Sequence, residues 1–362
     1  METAIPCTLM RGGTSKGPFF LAEDLPADVE TRDRVLLAVM GSPDVRQVDG
    51  IGGGDPLTSK VGIVSRSTRD GVDLDFLFAQ VSVDRALVDT TPNCGNMLAA
   101  VVPFALEHGL IVPTGDSTTA RVLTLNTDML ADITVQTPGC RLSVEGECRI
   151  DGVPGSAPPI AIDFLEIAGS VCESLLPTGH LVDVILGIPV TCIDNGMPVV
   201  VLAAESLGAS GYESRDALNA NTELKQRLEE VRLQAGRLMG LGDVRDKVVP
   251  KMTLVASPQH GGAIATRTFI PHVCHASIGV LGAVSVATAC VLPGSVPSRF
   301  TVRPTDGSSR LSVEHPTGEF TVDLEVVEGP DGPEVKRAAL LRTARRLFAG
   351  HVYIPASIWP GH

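Results

Sequence analysis

This chain has no excess of positive charge. Lysine and arginine number 29 against 42 aspartates and glutamates, a formal net charge of −13. A general role on nucleic acid or on an anionic membrane needs a basic face, so both are excluded as partners. A small anionic substrate is not excluded, because a pocket can be locally positive inside an acidic protein. The eight cysteines (7, 94, 140, 148, 172, 192, 274 and 290) contain no CxxC pair. A zinc site or a disulfide framework is therefore not expected. The opening METAIPCTLMRGG lacks a basic start followed by an apolar core, so free thiols in a reducing cytoplasm are the expectation. The uncharged run from Ala276 to Pro293 falls short of the ~20 apolar residues of a membrane span, and no second such run exists. It reads as a buried helix, apolar all round because protein wraps it. No GxSxG elbow, HExxH metal motif or GxGxxG fingerprint is present, and neither a metal nor an organic cofactor is expected.

What is plentiful is glycine, with 37 residues, and proline, with 26, while aromatics make up only 4%. That mixture suits short strands and many turns rather than long helical bundles. A length of 362 residues argues for about two domains. Helical spacing appears at Thr31–Met40, Cys94–His108, Thr222–Gly240, Ala276–Cys290 and near Val335–Phe348. Strand patterns appear in PFFLA, KVGIVS, DLDFLFAQVSV, RVLTLNT, DITVQT, PVVVLA, KMTLVA, ATRTFI, RLSVEH and FTVDLEVV. The fold class is α+β. The two halves also echo one another. Phe19–Leu25 resembles Val201–Leu207, Ser59–Ser65 resembles Pro250–Ala256, and the apolar helix opening at Cys94 matches the one opening near Ala276. Three matches in one order imply a duplicated domain. The first domain is expected over 1–184, completed by 350–362, and the second over 185–349.

Three stretches carry candidate chemistry. In Asn93-Cys94-Gly95-Asn96 a helix start would offer unpaired N–H groups and a partial positive charge, which favour a thiolate or a docked carboxylate. Asn93 is a candidate N-cap, and Gly95 would let a ligand approach the backbone. The alternative is a thiol that is simply buried. In Gly50–Lys60 the glycines, Gly53 among them, could turn N–H groups onto an anion. Lys60 then opens a strand, either as a solvated charge or, desolvated in a cleft, as a base near neutral pH. The GxxxxGK[ST] spacing of a P-loop is absent. In Met10–Gly17, Arg11 offers a planar fork for a carboxylate, and Thr14 and Ser15 offer hydroxyls. The alternative there is a turn. In the second half Lys251, Arg267, His275 and Ser277 are the matching candidates, with His275 equally readable as a structural histidine.

Taken together, MRGGTSKG, GGGDPLTSK, NCGNM and the PGS after the second apolar helix resemble the methylaconitate isomerase family. The likeness covers essentially the whole chain. Within the family, IPCTLMRGGTSKGPFFLAEDLPAD and LLAVMGSPDVRQVDGIGGGD are most similar to the 4-oxalomesaconate tautomerases of gallate and protocatechuate breakdown. The resemblance implies the diaminopimelate epimerase-like fold, with two pseudo-symmetric domains, each a barrel-like sheet around one central helix, and a site between them. It implies that Lys60 and Cys94 are the catalytic pair, with a small unsaturated tricarboxylate as substrate and no cofactor. The epimerases carry a second cysteine at the other helix, where this chain has Ala276 or a neighbour and Cys274 lies slightly before it, so the chemistry expected here is lysine-dependent isomerisation. A 2-methylaconitate cis–trans isomerase and an inert anion-binding protein are the alternatives. A homodimer is expected on base rates alone.

Overall fold

The computed structural model describes residues 1–91, 93–165, 167–245, 247–304, 309–329 and 332–361. The chain divides into two compact units, Met1–Leu165 with Leu341–His362, and Glu166–Leu340.

The first unit opens with the hairpin β1 (Glu2–Gly12) and β2 (Ser15–Leu21), followed by α1 (Val29–Met40). Asp28 caps α1 by accepting from the Thr31 N–H at 2.8 Å, and Gly41 ends it in the left-handed region at φ 75°. β3 (Lys60–Arg66) returns parallel to β2, and β4 (Leu74–Val81) turns back antiparallel to β3. After the short β5 (Val88–Asp89) come α2 (Gly95–Leu98) and α3 (Val101–Glu107). β6 (Ser117–Thr124) runs parallel to β4, and β7 (Met129–Gln136) and β8 (Ile160–Phe164) continue antiparallel. Successive strand residues point to opposite faces, so Phe19 stacks on Phe76 and meets Phe104 of α3, while Phe20 packs with Val35 and Leu36 of α1. Each fully buried phenylalanine contributes about 1.5–3 kcal/mol. The sheet is thus gripped between α1 on one face and the apolar α2–α3 segment on the other.

The second unit contains β9 (Asp183–Ile185), the hairpin β10 (Ile188–Asp194) and β11 (Pro198–Ala203), then α4 (Arg215–Ala220) and α5 (Thr222–Leu238). β12 (Lys251–Ala256) runs parallel to β11, and β13 (Ile264–Phe269) antiparallel to β12. α6 (Val280–Val291) precedes β14 (Arg310–His315), which is parallel to β13. β15 (Gly318–Gly329) and β16 (Gly332–Arg342) follow antiparallel. The last strand, β17 (Ala344–Pro355), belongs to the first unit and pairs with β1 from Glu2↔Pro355 to Gly12↔Ala344, with a bulge at Leu9/Met10. Order and pairing therefore repeat: hairpin, outer helix, parallel strand, antiparallel strand, apolar helix, parallel strand, antiparallel pair. The echo heard in the sequence is a repeat of this unit.

The charge-free segment at Ala276 forms the twelve-residue α6, fully buried from Gly282 to Cys290 and contacted by β10, β11, β14 and β15. Among the described residues no helix is long and apolar enough to cross a membrane.

Three expectations are corrected. Val335–Phe348 is not helical: its alanines, leucines and arginines favour a helix, but β16 pairs with β15 and β17 with β1, and Ala338, Ala339 and Leu340 are buried in that sheet. The helix expected over Cys94–His108 is broken at Ala99–Ala100. Pro103 has no N–H to give the Ala99 carbonyl and its ring crowds that oxygen, so the turn opens there. α6 starts at Val280 with Gly279 as N-cap, not at Ala276.

Candidate active site

Three of the sequence motifs meet in the first unit, and glycine is what lets them. A Cβ on Gly12 would sit 2.4 Å from the Asn96 carbonyl oxygen, and one on Gly13, at φ 51°, would sit 2.1 Å from Asn96 Oδ1. A Cβ on Gly17 would sit 1.8 Å from the Lys60 carbonyl oxygen and 3.3 Å from Met97 Cε. The MRGGTSKG hairpin thus lies directly against the start of α2 and against β3. Asn96 Nδ2 donates to Thr14 Oγ1 at 3.0 Å, tying the hairpin turn to the residues beside Cys94.

Lys60 is 9% exposed at the first position of β3. Its Nζ donates to Gln80 Oε1 at 2.6 Å and lies 4.8 Å from the centroid of the Phe78 ring. No carboxylate pairs with it among the described residues. The loop before it is built to hold it. Gln47, in the left-handed region at φ 49°, donates to the Ser42 and Ser59 hydroxyls and accepts from the Gly54 N–H. Ser59 Oγ donates to the Val81 carbonyl at 2.8 Å. The glycine-rich loop does not offer an anion cradle. The N–H groups of Gly50, Gly52, Gly53 and Gly54 go to Gln47 O, Met40 O, Thr58 O and Gln47 Oε1. Gly53 is needed because a Cβ there would meet Thr58 Oγ1 at 2.3 Å.

Cys94, half-buried, is itself the N-cap of α2, in extended conformation and without a side-chain cap bond. Asn93 is not the cap. Its Nδ2 donates to Thr127 Oγ1, and its Oδ1 is buried without a hydrogen-bond partner among the described residues. The adjacent Asn126 holds both sides of the Phe78 backbone: it accepts from Phe78 N–H at 2.9 Å and donates to Phe78 O at 2.8 Å, and also to Thr90 O at 2.6 Å. The turn at 126–127 therefore fixes the strand that faces Lys60 and, one residue on, the asparagine that precedes Cys94.

Arg11 is placed differently. Gly12 and Gly17 face α2, so strand alternation sends Arg11 and its cross-strand neighbour Lys16 to the other face of the hairpin. Arg11 Nη1 donates to the Gly13 and Thr343 carbonyls at 2.8 and 3.0 Å. Burial, and then the charge of Arg345, lower its pKa. Arg11, Thr14 and Ser15 line a cavity of about 610 Å³ with Lys16, Glu107 and Arg345; neither Lys60 nor Cys94 lines it. Thr14 bridges the two regions, its hydroxyl toward Asn96 and its methyl toward Gly152. Ser15 Oγ is buried without a partner among the described residues.

In the second unit, Lys251 opens β12 as Lys60 opens β3. Burial, and then the charge of Arg232, bring its pKa down to about 8. Arg267 donates from Nε to Glu213 O and from Nη1 to Thr266 O, both at 2.9 Å, which among the described residues leaves part of its fork uncommitted. Burial lowers its pKa against the opposing influence of Cys274, Glu213 and Glu314. His275 Nδ1 accepts from the Ser277 N–H at 2.9 Å, and Ser277 Oγ lies 3.1 Å from His315 Nε2. Gln80 and Phe78 beside Lys60, Asn126 beside Phe78, Thr127 beside Asn93 and, in the second unit, His315 beside Ser277 are neighbours of candidate residues that motif reading passes over. Only the strand pattern around Gln80 and Phe78 hinted at two of them.

The structure resembles the crystal structure of a methylitaconate-delta-isomerase with a TM-score of 0.89 at 34% identity, over 99% of this chain and 97% of that one. The chain is 56% identical to the (4E)-oxalomesaconate Delta-isomerase of Novosphingobium sp. (strain KA1) over 354 residues, 98% of each chain. It is 55% identical to the 4-oxalomesaconate tautomerase of Pseudomonas putida (strain KT2440) over 360 residues, 99% of each. The α+β, epimerase-like architecture implied by the four-motif resemblance is the fold shared with that isomerase structure. The model of the PrpF protein family matches residues 2–355, and the chain belongs to that family.

Proposed function

We propose that this protein is an isomerase that shifts a proton within 4-oxalomesaconate, a small unsaturated tricarboxylate, with Lys60 as the base. The observation that carries this reading is the setting of Lys60. It is a nearly buried amine held by a neutral amide and an aromatic face, with no carboxylate partner among the described residues. Full-length identity above half to a 4-oxalomesaconate isomerase and a 4-oxalomesaconate tautomerase supports the substrate class.

Conjugation with a carbonyl acidifies the C–H at the allylic or keto-adjacent carbon. Lys60, as the free amine, accepts that proton and becomes the ammonium. The electron pair left behind delocalises into a dienolate, which needs donors where charge develops on oxygen. Candidate donors are the N–H groups of Gly95 and Asn96 and the Thr14 hydroxyl, with Asn93 beside them. Lys251, Arg267, His275 and Ser277 are also proposed as substrate-binding residues. A proton is then returned at another carbon or at oxygen, from Cys94 or from the Lys60 ammonium itself. One proton leaves and one arrives, and no electrons are gained or lost.

Purified protein incubated with 4-oxalomesaconate in D2O tests this. The expected result is a time-dependent ultraviolet change of the enol with deuterium entering product. Lys60→Ala, while folded, should lose about 10²–10⁴-fold in kcat, the usual contribution of a general base. Wild-type turnover in that variant would remove Lys60 from the mechanism.

A further inference from the structure

We propose that Gln80 is a positioning residue for Lys60, turning the amine so that its lone pair faces the substrate; this rests on Lys60 being the base. Both hydrogens of Gln80 Nε2 are spent, on Ser59 O at 2.8 Å and on Pro56 O at 3.0 Å. The amide can therefore present only Oε1 to Lys60 Nζ, 2.6 Å away. A flipped amide would set nitrogen against nitrogen and Oε1 against two carbonyl oxygens. Lys60 and Gln80 are directly opposed in the β3–β4 register, and Phe78, two residues earlier on the same face of β4, supplies the ring 4.8 Å from Nζ.

A free amine has two N–H bonds and one lone pair. The Gln80 oxygen accepts an N–H and repels a lone pair. The negative face of the Phe78 ring does the same. With both of those directions taken by N–H bonds, the lone pair is left to the remaining open direction. An amide does this without charge, whereas a carboxylate at position 80 would favour the ammonium. The cross-strand row continues to Asp89 of β5, whose Oδ1 already accepts from Thr91 N–H and Oγ1 at 2.9 and 2.7 Å. Of the other charges on elements packed against β3, Lys16 projects to the opposite face of its hairpin and Glu107 is paired with Arg346 at 3.2 Å. Asp75 stands opposite Ser65, toward the far end of β3, and Glu23 and Asp24 follow β2 at that same end.

Two variants and one direct measurement test the assignment. Gln80→Met should lower kcat about 10–100-fold, the scale of a roughly 1 Å misplacement, with KM within about threefold. Gln80→Glu should raise by about one unit the pH at which kcat/KM reaches half its maximum. It should also slow acetic-anhydride labelling of Lys60 at pH 8, read by peptide mass spectrometry against the partly exposed Lys225 in the same sample. If Lys60→Ala is inactive while Gln80→Met keeps wild-type kcat, pH profile and labelling, the role of Gln80 is overturned and the base assignment stands. If Lys60→Ala is active, the proposed function itself fails. Independently of how any variant folds, nuclear magnetic resonance of the wild type should show both Gln80 side-chain protons exchanging slowly. Exchange as fast as in an exposed glutamine would overturn the fixed amide.

Discussion

Gly17→Ala tests whether the hairpin and the lysine are one mechanical unit. A Cβ at position 17 would sit 1.8 Å from the Lys60 carbonyl oxygen, where real Cβ contacts essentially never fall below 3.0 Å, so β2 and β3 must part by at least 1.2 Å. The opposing atom is backbone in a paired strand, so no rotamer can relieve the contact. Overpacking of this kind costs about 1–3 kcal/mol. The displacement also moves Lys60 relative to Gln80 and Phe78, and a shift of about 1 Å at a reacting group can cost ~10²-fold in rate. Denaturant unfolding should show a lower midpoint, and steady-state kinetics should show a fall in kcat larger than any rise in KM. A Gly17→Ala variant with wild-type stability and kcat would refute the close approach and, with it, the claim that MRGGTSKG positions Lys60.

Four further outcomes are expected. Gly282→Ala, inside α6 with only Ile278 Cγ1 at 3.7 Å from the added Cβ, should stabilise the fold by roughly 0.5–1 kcal/mol, read as a higher melting temperature. Asn126→Ala removes three hydrogen bonds around Phe78 and should cost about 1–3 kcal/mol in denaturant unfolding, with a loss of kcat as the Phe78 wall loosens. Cys94→Ser should lower kcat, and by less than Lys60→Ala if the lysine ammonium can return the proton; equal losses in parallel assays would assign the return step to the thiol. Lys251 titrates at about 8 in the folded chain against 10.5 as its ordinary value, so the unfolded state binds the extra proton between those two pH values. Its charge therefore opposes folding below pH 8, and that penalty is relieved as pH rises through 8 toward 10.5. Lys251→Met should gain stability over wild type at pH 7, and the gap should narrow by pH 10.

Much of this arrangement is legible in the chain because its signals are local. PVVVLA, KMTLVA and RLSVEH are strands with the limits read from them, since β-branched runs bounded by turns have few other options. The glycines of MRGGTSKG announce a close approach. What is not legible is what they approach, because Asn96 and the Lys60 carbonyl arrive there only through tertiary pairing. Arg11 shares a motif with Thr14 and reads there as a fork for a carboxylate. Strand alternation sends it to the other face, and alternation shows only once the hairpin register is known. Gln80 hid for a similar reason: DLDFLFAQVSV reads as a strand, but its register against Lys60 belongs to the fold. Pro103 was in plain view, and its break in the helix follows from its missing N–H. At Val335–Phe348 helix propensity gave way to the pairing of β16 and β17 with their neighbours.

The repeated architecture makes the asymmetry of the two units informative. The first parallel strand of each unit opens with a lysine, Lys60 on β3 and Lys251 on β12, and each apolar helix follows at the same place in the order. The surroundings of the two lysines were not duplicated. β4 returns Phe78 and Gln80 to Lys60, whereas β13, Ile264–Phe269, carries no glutamine, and the charge acting on Lys251 is that of the buried Arg232. The helix caps diverge likewise: Cys94 at α2, Gly279 at α6. A positive neighbour on Lys251 weakens its hold on a proton but gives its lone pair no direction, while the amide and ring at Lys60 do. By this reasoning Lys251 is proposed to meet a carboxylate and Lys60 to take a proton from carbon. Lys251→Ala should then raise KM more than it lowers kcat, and Lys60→Ala the reverse, both measured at saturating and limiting substrate. A collapse of kcat in Lys251→Ala with KM unchanged would reverse the two roles.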